Sequence, residues 1–150
     1  MSKELRPKGA IGVYLINQKG ELLLLLRTSP HGNGTWSPPG GHMEYGETFS
    51  DTAKRETKEE SGIEVGDIEI MGVTSDVYPE EEKHYVTVHV KALTYSGEPR
   101  IAEPNKYKEM KWFNLGNLPE NLFPANKHFF AQNPDCPCES GRKYKTCHGR

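Results

Sequence analysis

Residues 41–63 read GHMEYGETFSDTAKRETKEESGI, and the fold is decided there. The stretch sets Gly41, Glu47, Arg55, Glu56, Glu59, Glu60 and Gly62 at fixed offsets. Thr48 offers a helix N-cap, with Asp51 three residues on as a capping-box variant. Gly62 supplies the C-terminal stop. The spacing between them predicts a helix that carries Glu56, Glu59 and Glu60 on one face, at i, i+3 and i+4. Like charges so placed repel, at about 0.2–0.5 kcal/mol per pair, and a compensating cation accounts for three of them. Hard oxygen ligands, few in number and open to substrate phosphate, suit Mg²⁺ or Mn²⁺. RETKEE alone suits a solvated surface helix better. The preceding TWSPPGGHMEYGE turns the reading toward a metal site, because Pro38, Pro39, Gly40 and Gly41 form a stiff and then permissive turn that brings backbone carbonyls close to a ligand.

Outward from this unit, AIGVYLIN at residues 10–17 predicts a strand. Gln18, Lys19 and Gly20 turn it back into a second strand at 21–27, whose five consecutive leucines are too few to cross a membrane. Residues 28–36 are a loop. Residues 63–77 lean toward strand, and Pro79 with Glu80, Glu81 and Glu82 marks an exposed acidic turn. In residues 85–93, Val86, Val88 and Val90 alternate with Tyr85, Thr87 and His89, which puts the two sets on opposite faces of a strand. A polar loop spans 96–108, a short strand 110–113 and a short helix 124–132. Strands with two separated helices predict an α/β (α+β) layered domain.

The 150 residues suit one domain plus an appendage. With 34% hydrophobic and 27% charged residues the composition is that of a polar globular chain, and no apolar run approaches 18 residues. MSKELRPKG has no apolar core of a signal peptide. The three cysteines all fall in the last 15 residues, so no disulfide framework holds the main domain, and a reducing, cytoplasmic setting fits. The net charge of −2 leaves nucleic acid as a bulk partner open.

The signature stretch resembles that of the Nudix hydrolases, G-x5-E-x7-R-E-U-x-E-E-x-G-U with U aliphatic. Every fixed position matches, and Ile63 closes it. The one departure is Thr57 in place of an aliphatic residue, whose hydroxyl needs a partner. The resemblance covers residues 8–132 and implies an α/β/α sandwich with a mixed sheet, and hydrolysis of a nucleoside diphosphate linked to another group. It makes Glu56 and Glu60 the principal metal ligands, Glu59 an assisting one, and the Gly40 carbonyl the completing one. Gly41, Glu47 and Arg55 become structural, the Glu47–Arg55 pair tying loop to helix. Glu56 is one candidate general base. Glu103, in AEPNKY, resembles a downstream acidic residue of the MutT-like branch and reads equally as a solvated loop carboxylate.

Further clues concern substrate. FPANK at 123–127 resembles the MutT-like enzymes, where an Asn after Pro-Ala contacts a purine, which makes Asn126 a candidate base contact; it also suits a polar residue in a short helix. HYVTVHVKA and EPNKYKEMKWF look like the branch that cleaves nucleoside triphosphates to monophosphate and pyrophosphate. Pro79, sixteen residues past Ile63, resembles a feature of the branch that hydrolyses ADP-ribose. ADP-ribose or another NDP-linked compound is therefore the alternative substrate. A non-catalytic nucleotide-sensing scaffold recruited through the cysteine-bearing tail is the third reading, opposed by the retention of all three carboxylates.

The last residues, 133–150, include CPCESGRKYKTCHGR. Cys136, Cys138, Cys147 and His148 have the spacing C-x-C-x8-C-H, and three thiolates with one imidazole suit a closed tetrahedral structural Zn²⁺ site. The segment resembles the SEC-C motif, with Glu139 where that motif usually has Gly. The resemblance implies docking to another protein. Arg142, Lys143, Lys145 and Arg150 give the tail basic charge, so an acidic protein surface or RNA is the expected partner.

Overall fold

Five leucines in one strand need apolar neighbours on both sides, and the architecture follows from meeting that need. The structure, a computed structural model, describes residues 5–132. In chain order the elements are β1 (Lys8–Tyr14), β2 (Glu21–Arg27), β3 (Trp36–Ser37), β4 (Gly40–His42), α1 (Phe49–Ser61), β5 (Glu64–Val65) and β6 (Ile68–Tyr78). A 3-10 turn (Pro79–Glu81), β7 (Lys83–Ala92), β8 (Tyr95–Ser96), β9 (Tyr107–Asn114) and α2 (Pro124–Gln132) follow. All five leucines of β2 are buried. Leu23 packs with Ile11, Val13, Ala53 and Val90, whereas Leu22 and Leu24 pack with Tyr14, Leu115 and Phe129 on the other side.

The main sheet has the order β4-β1-β7-β6. β1 and β7 are parallel, and the β1–β4 and β6–β7 pairs antiparallel, so the sheet is mixed. β3-β2-β9 form a second sheet, and β5 pairs with β8. α1 packs on β1 and β4, and α2 on β6. This is the layered α/β (α+β) arrangement expected, with a helix on each side of the sheet.

The α1 termini are built as the sequence indicates. Thr48 accepts from the Asp51 N–H while the Asp51 side chain accepts from the Thr48 N–H, a complete capping box. Gly62 ends the helix at φ 76°, a left-handed conformation that favours glycine. Thr57 is fully buried, and its hydroxyl has no partner among the described residues.

Two expectations are corrected. Pro38 and Pro39 do connect β3 to β4 with a bend, but Gly40 and Gly41 are strand, because β4 pairs with β1 through Gly12↔Gly40, Ile11↔Gly41 and Ala10↔His42. Gly40 and Gly41 are absent from the positive-φ glycines. Both are glycine for lack of room: a Cβ on Gly40 would strike the Ile11 carbonyl, and one on Gly41 the Glu56 carboxylate. The loop expected over 96–108 is also shorter, since Tyr95–Ser96 and Tyr107 are already strand. The expected zinc ligands Cys136, Cys138, Cys147 and His148 lie outside the described residues.

Candidate active site

Arg55 organises the acidic face of α1. Its guanidinium has five N–H donors in a fixed fork, and each has an acceptor. Nε and Nη2 grip the two Glu47 oxygens at 2.7 and 3.0 Å. Nη1 reaches Glu56 at 2.6 Å and Glu59 at 3.0 Å, and Nη2 also reaches the His42 carbonyl at 3.0 Å. Glu47 in turn accepts from the Glu44 N–H and the Thr52 hydroxyl. Hydrogen bonds from Arg55 lead the causes that hold the Glu47 carboxyl down at about 2. One side chain thus joins the loop before α1, the carboxylates of α1 and the backbone of β4.

Glu60 points inward from the same helix and is 3% exposed. Oε1 accepts the Gly40 N–H at 2.8 Å, and Oε2 accepts the Tyr107 hydroxyl at 2.8 Å. Burial outweighs both bonds and pushes the Glu60 carboxyl up to about 8, with Glu56 and Glu103 adding smaller upward contributions. Burial also raises Glu56, against the pull of Arg55. Glu56, Glu60, Gly40, Gly41, Arg27 and Tyr107 line one cleft. Two neighbouring carboxylates held above their ordinary range are a donor set short of positive charge. That chemistry fits a hard divalent cation.

A second cavity adjoins this cleft across β4, since Gly40, Gly41, His42 and Arg27 line both. Its walls are aromatic: His31, Tyr78, Tyr85 and Phe123, with Asn126 also lining it. His31 packs edge-on against Tyr78 and Phe123, with ring centroids 4.7 and 5.4 Å apart. The Arg27 guanidinium lies 4.4 Å from the Phe123 ring centroid. His31 Nδ1 bonds Glu81 Oε1 at 2.9 Å, which pins residues 28–35 to the 3-10 turn. The His31 Nε2 and the Tyr78 hydroxyl are buried without a partner among the described residues. The arrangement is a slot for a flat ring beside an acidic cleft, and the two are separated by one strand.

The family model described as NUDIX domain matches residues 6–132. The chain belongs to the Nudix hydrolase family. A SEC-C motif matches residues 135–150. Among similar curated proteins is the oxidized purine nucleoside triphosphate hydrolase of Mus musculus, 31% identical over 121 residues, covering 79% of this chain and 74% of that one. Another is the ADP-ribose pyrophosphatase of Methanocaldococcus jannaschii, 29% identical over 113 residues, covering 75% of this chain and 66% of that one. Among solved structures, the MutT Nudix hydrolase of Burkholderia pseudomallei matches with a TM-score of 0.80 at 29% identity, covering 85% of this chain and 98% of that one.

Nudix enzymes generally use divalent cations, and the structure gathers only part of the expected ligand set. Glu56, Glu60 and Gly40 meet in the cleft. Gly40 presents its N–H to Glu60. Glu59 does not line the cleft; its side chain is 45% exposed and is held by Arg55. Accordingly, no group of three or more His, Cys, Asp or Glu side chains among the described residues is arranged so as to hold a metal ion. Glu103 lies in the loop before β9, its carboxylate 3.5 Å from Lys106, and its charge reaches Glu60. Asn126 is 4% exposed on α2. Sequence reasoning missed Tyr107, Arg27 and His31. The first two are paired partners across β2 and β9, and no local spacing marks them. No helix among the described residues is long and apolar enough to cross a membrane.

Proposed function

We propose that this Nudix hydrolase cleaves a nucleoside triphosphate, ribo or deoxy, to the monophosphate and pyrophosphate, with Mg²⁺ or Mn²⁺ in the acidic cleft. The observation that carries this reading is the aromatic slot ending at Asn126, joined to the Glu56–Glu60 cleft through Gly40 and Gly41. A base in the slot sends its phosphates across β4 toward the carboxylates. The murine relative hydrolyses oxidized purine nucleoside triphosphates, in keeping with a purine-sized ring in the slot.

Glu56 and Glu60 would hold the cation with the Gly40 carbonyl, and Glu59 would assist from the outer side. When bound, the cation neutralises phosphate charge and makes a water more acidic. The residues of the chain do the rest. Glu56 or Glu103 takes the proton from the attacking water, Arg55 fixes the Glu56 carboxylate, and Gly41 leaves room for it. Phe123 and Tyr85 stack on the base, and Asn126 meets its edge with one amide group.

Residues 8–132 would form the catalytic domain and 133–150 an appended structural Zn²⁺ site on Cys136, Cys138, Cys147 and His148, with a cytoplasmic setting for the whole. The tail's basic residues suit an acidic protein surface or RNA. Elemental analysis of the full chain is expected to give one zinc, and serine substitution at Cys138 to remove it.

A second reading, hydrolysis of ADP-ribose, is favoured by the archaeal relative and by Pro79, which opens the 3-10 turn beside the slot. Hydrolysis with Mg²⁺ across dNTPs, NTPs and ADP-ribose, with products resolved chromatographically, separates the two. Monophosphate plus pyrophosphate supports the first reading. AMP plus ribose 5-phosphate overturns it in favour of the second. Absence of turnover with metal bound points instead to a substrate outside the panel or to a nucleotide sensor.

A further inference from the structure

Behind Asn126, away from the slot, three more polar side chains continue into the protein. Asn126 Nδ2 donates to the Tyr14 hydroxyl oxygen at 3.0 Å. That oxygen lies 3.0 Å from His89 Nδ1, and His89 Nε2 lies 2.8 Å from Thr74 Oγ1. Four elements contribute one residue each: α2, β1, β7 and β6. Tyr14 and His89 are fully buried, Thr74 is 3% exposed and Asn126 4%. Phe129 covers both rings, 4.6 Å from His89 and 5.1 Å from Tyr14 between centroids. Gly12 lies beside this line, where a Cβ would meet both Asn126 Nδ2 and His89 Nδ1 at 3.6 Å, an ordinary van der Waals contact. Apolar side chains would fill this volume without the cost of burying polar groups, so the polar line calls for a role.

Counting protons supplies one. The Tyr14 oxygen accepts from the amide, so its single hydrogen goes to His89 Nδ1. Burial lowers His89 to about 4, which keeps it neutral. A neutral imidazole has one N–H, and with Nδ1 accepting, that hydrogen sits on Nε2 and is donated to Thr74. The reverse polarity is the other arrangement in which the Tyr14 hydrogen is also donated within the line: Thr74 donates to Nε2, Nδ1–H donates to Tyr14, and Tyr14 donates to Asn126 Oδ1. The two arrangements differ in what Asn126 turns to the slot. In this structure Nδ2 faces Tyr14, and Oδ1 has no donor among the described residues.

We infer that His89, acting through Tyr14, is a positioning residue that locks the Asn126 amide with its carbonyl oxygen toward the base, and so selects purines whose edge presents an N–H there over those presenting a carbonyl. This rests on the reading that Asn126 meets the base. His89 touches no substrate itself; its tautomer sets the polarity of the group that does. A site built to hydrogen-bond one edge rejects the analogue lacking that group, because its buried acceptor is then left unpaired.

The test compares kcat/KM for purine triphosphates that differ by exchange of amine for carbonyl, ATP against ITP and GTP against XTP, in the native chain, Tyr14→Phe and Asn126→Ala. In parallel, ¹⁵N NMR of the native chain identifies the His89 tautomer. The expected results are a proton on His89 Nε2, a native preference for the amine-bearing member, and at least a fivefold fall of that ratio in Tyr14→Phe, more in KM than in kcat. A proton on Nδ1 overturns the inference, and this readout stands even if Tyr14→Phe fails to fold. A ratio unchanged in Tyr14→Phe but collapsed in Asn126→Ala overturns the inference alone. A ratio unchanged in Asn126→Ala overturns the base-contact reading and the inference with it.

Discussion

Tyr107 donates its hydroxyl hydrogen to Glu60 Oε2 at 2.8 Å, so a strand of the second sheet reaches across to the acidic helix and holds its most buried carboxylate. Together with the Gly40 N–H on the other oxygen, this fixes the Glu60 carboxylate in place before any ligand arrives. Preorganisation of this kind means the group need not be reoriented when phosphate charge enters the cleft. It also exposes the site to a defined set of perturbations.

Glu60→Gln removes the charge and keeps an acceptor for the Gly40 N–H. Turnover with Mg²⁺ is expected to fall at least about 10²-fold. The metal-free protein at pH 8 is expected to melt at a higher temperature than the native chain, because no buried charge remains. Undiminished turnover would sink the assignment of Glu60.

The raised Glu60 carboxyl gives the fold a pH dependence with a definite sign. Folded, it keeps its proton up to about 8; unfolded, it releases it near 4.5. The folded state binds more protons between these values, so metal-free stability falls as pH rises through that window. Mg²⁺ needs the ionised form, so it should raise Tm more at pH 8.5 than at pH 6. Melting curves in Mg²⁺ and in chelator at the two pH values decide this; an equal Mg²⁺ shift at both contradicts it.

Gly41→Ala places a methyl group against the Glu56 carboxylate. The carboxylate must swing away from the cleft, and activity is expected to drop at least about tenfold, as for a misplaced catalytic group, while the fold survives. Circular dichroism alongside kinetics separates the two effects. Native kcat would show that Glu56 has no placement requirement.

Arg55→Lys keeps the charge but loses the fork that grips Glu47 while holding Glu56 and Glu59. Mg²⁺ affinity is expected to weaken by about 10–100-fold, the usual cost of losing a group that orients metal ligands. Isothermal titration measures it. Unchanged affinity would confine Arg55 to a stability role.

Thr57→Val replaces a buried hydroxyl that has no partner among the described residues. Removing that unmet polar group should stabilise the chain by about 1 kcal/mol, which is about 3 °C in Tm for a chain of this size. A lower Tm would mean that the hydroxyl has found a partner.

The legible parts of the fold were those written in consecutive residues. Thr48, Asp51 and Gly62 state their helix ends locally, and both strands flanking Gly20 carry unbroken apolar runs. The alternation of Tyr85, Thr87 and His89 revealed a common face, but not that the face lines a slot and buries a polar line. β3 and β4 were hidden because Pro38, Pro39, Gly40 and Gly41 look like a turn at short range. Only pairing with β2 makes a strand of Trp36–Ser37, and only pairing with β1 makes one of Gly40–His42. Arg27 and Tyr107 were invisible for the same reason: eighty positions apart in number, they become neighbours through the β2–β9 register. Glu59 was placed by helical spacing on the face of Glu56 and Glu60, yet spacing fixes where a side chain leaves the helix, and Arg55 decides where it goes.

β4 is only three residues long, yet all three line both the aromatic slot and the acidic cleft. A lineage of such enzymes is therefore constrained unevenly. On the proposed reading, changes in β4 would alter reaction and recognition at once and be penalised twice, whereas Tyr78, Tyr85 and Phe123 line the slot and not the cleft. Divergence toward new nucleotides has an open route through the residues near 78–89 and 123–126, and the segment from 40 to 63 can be inherited intact.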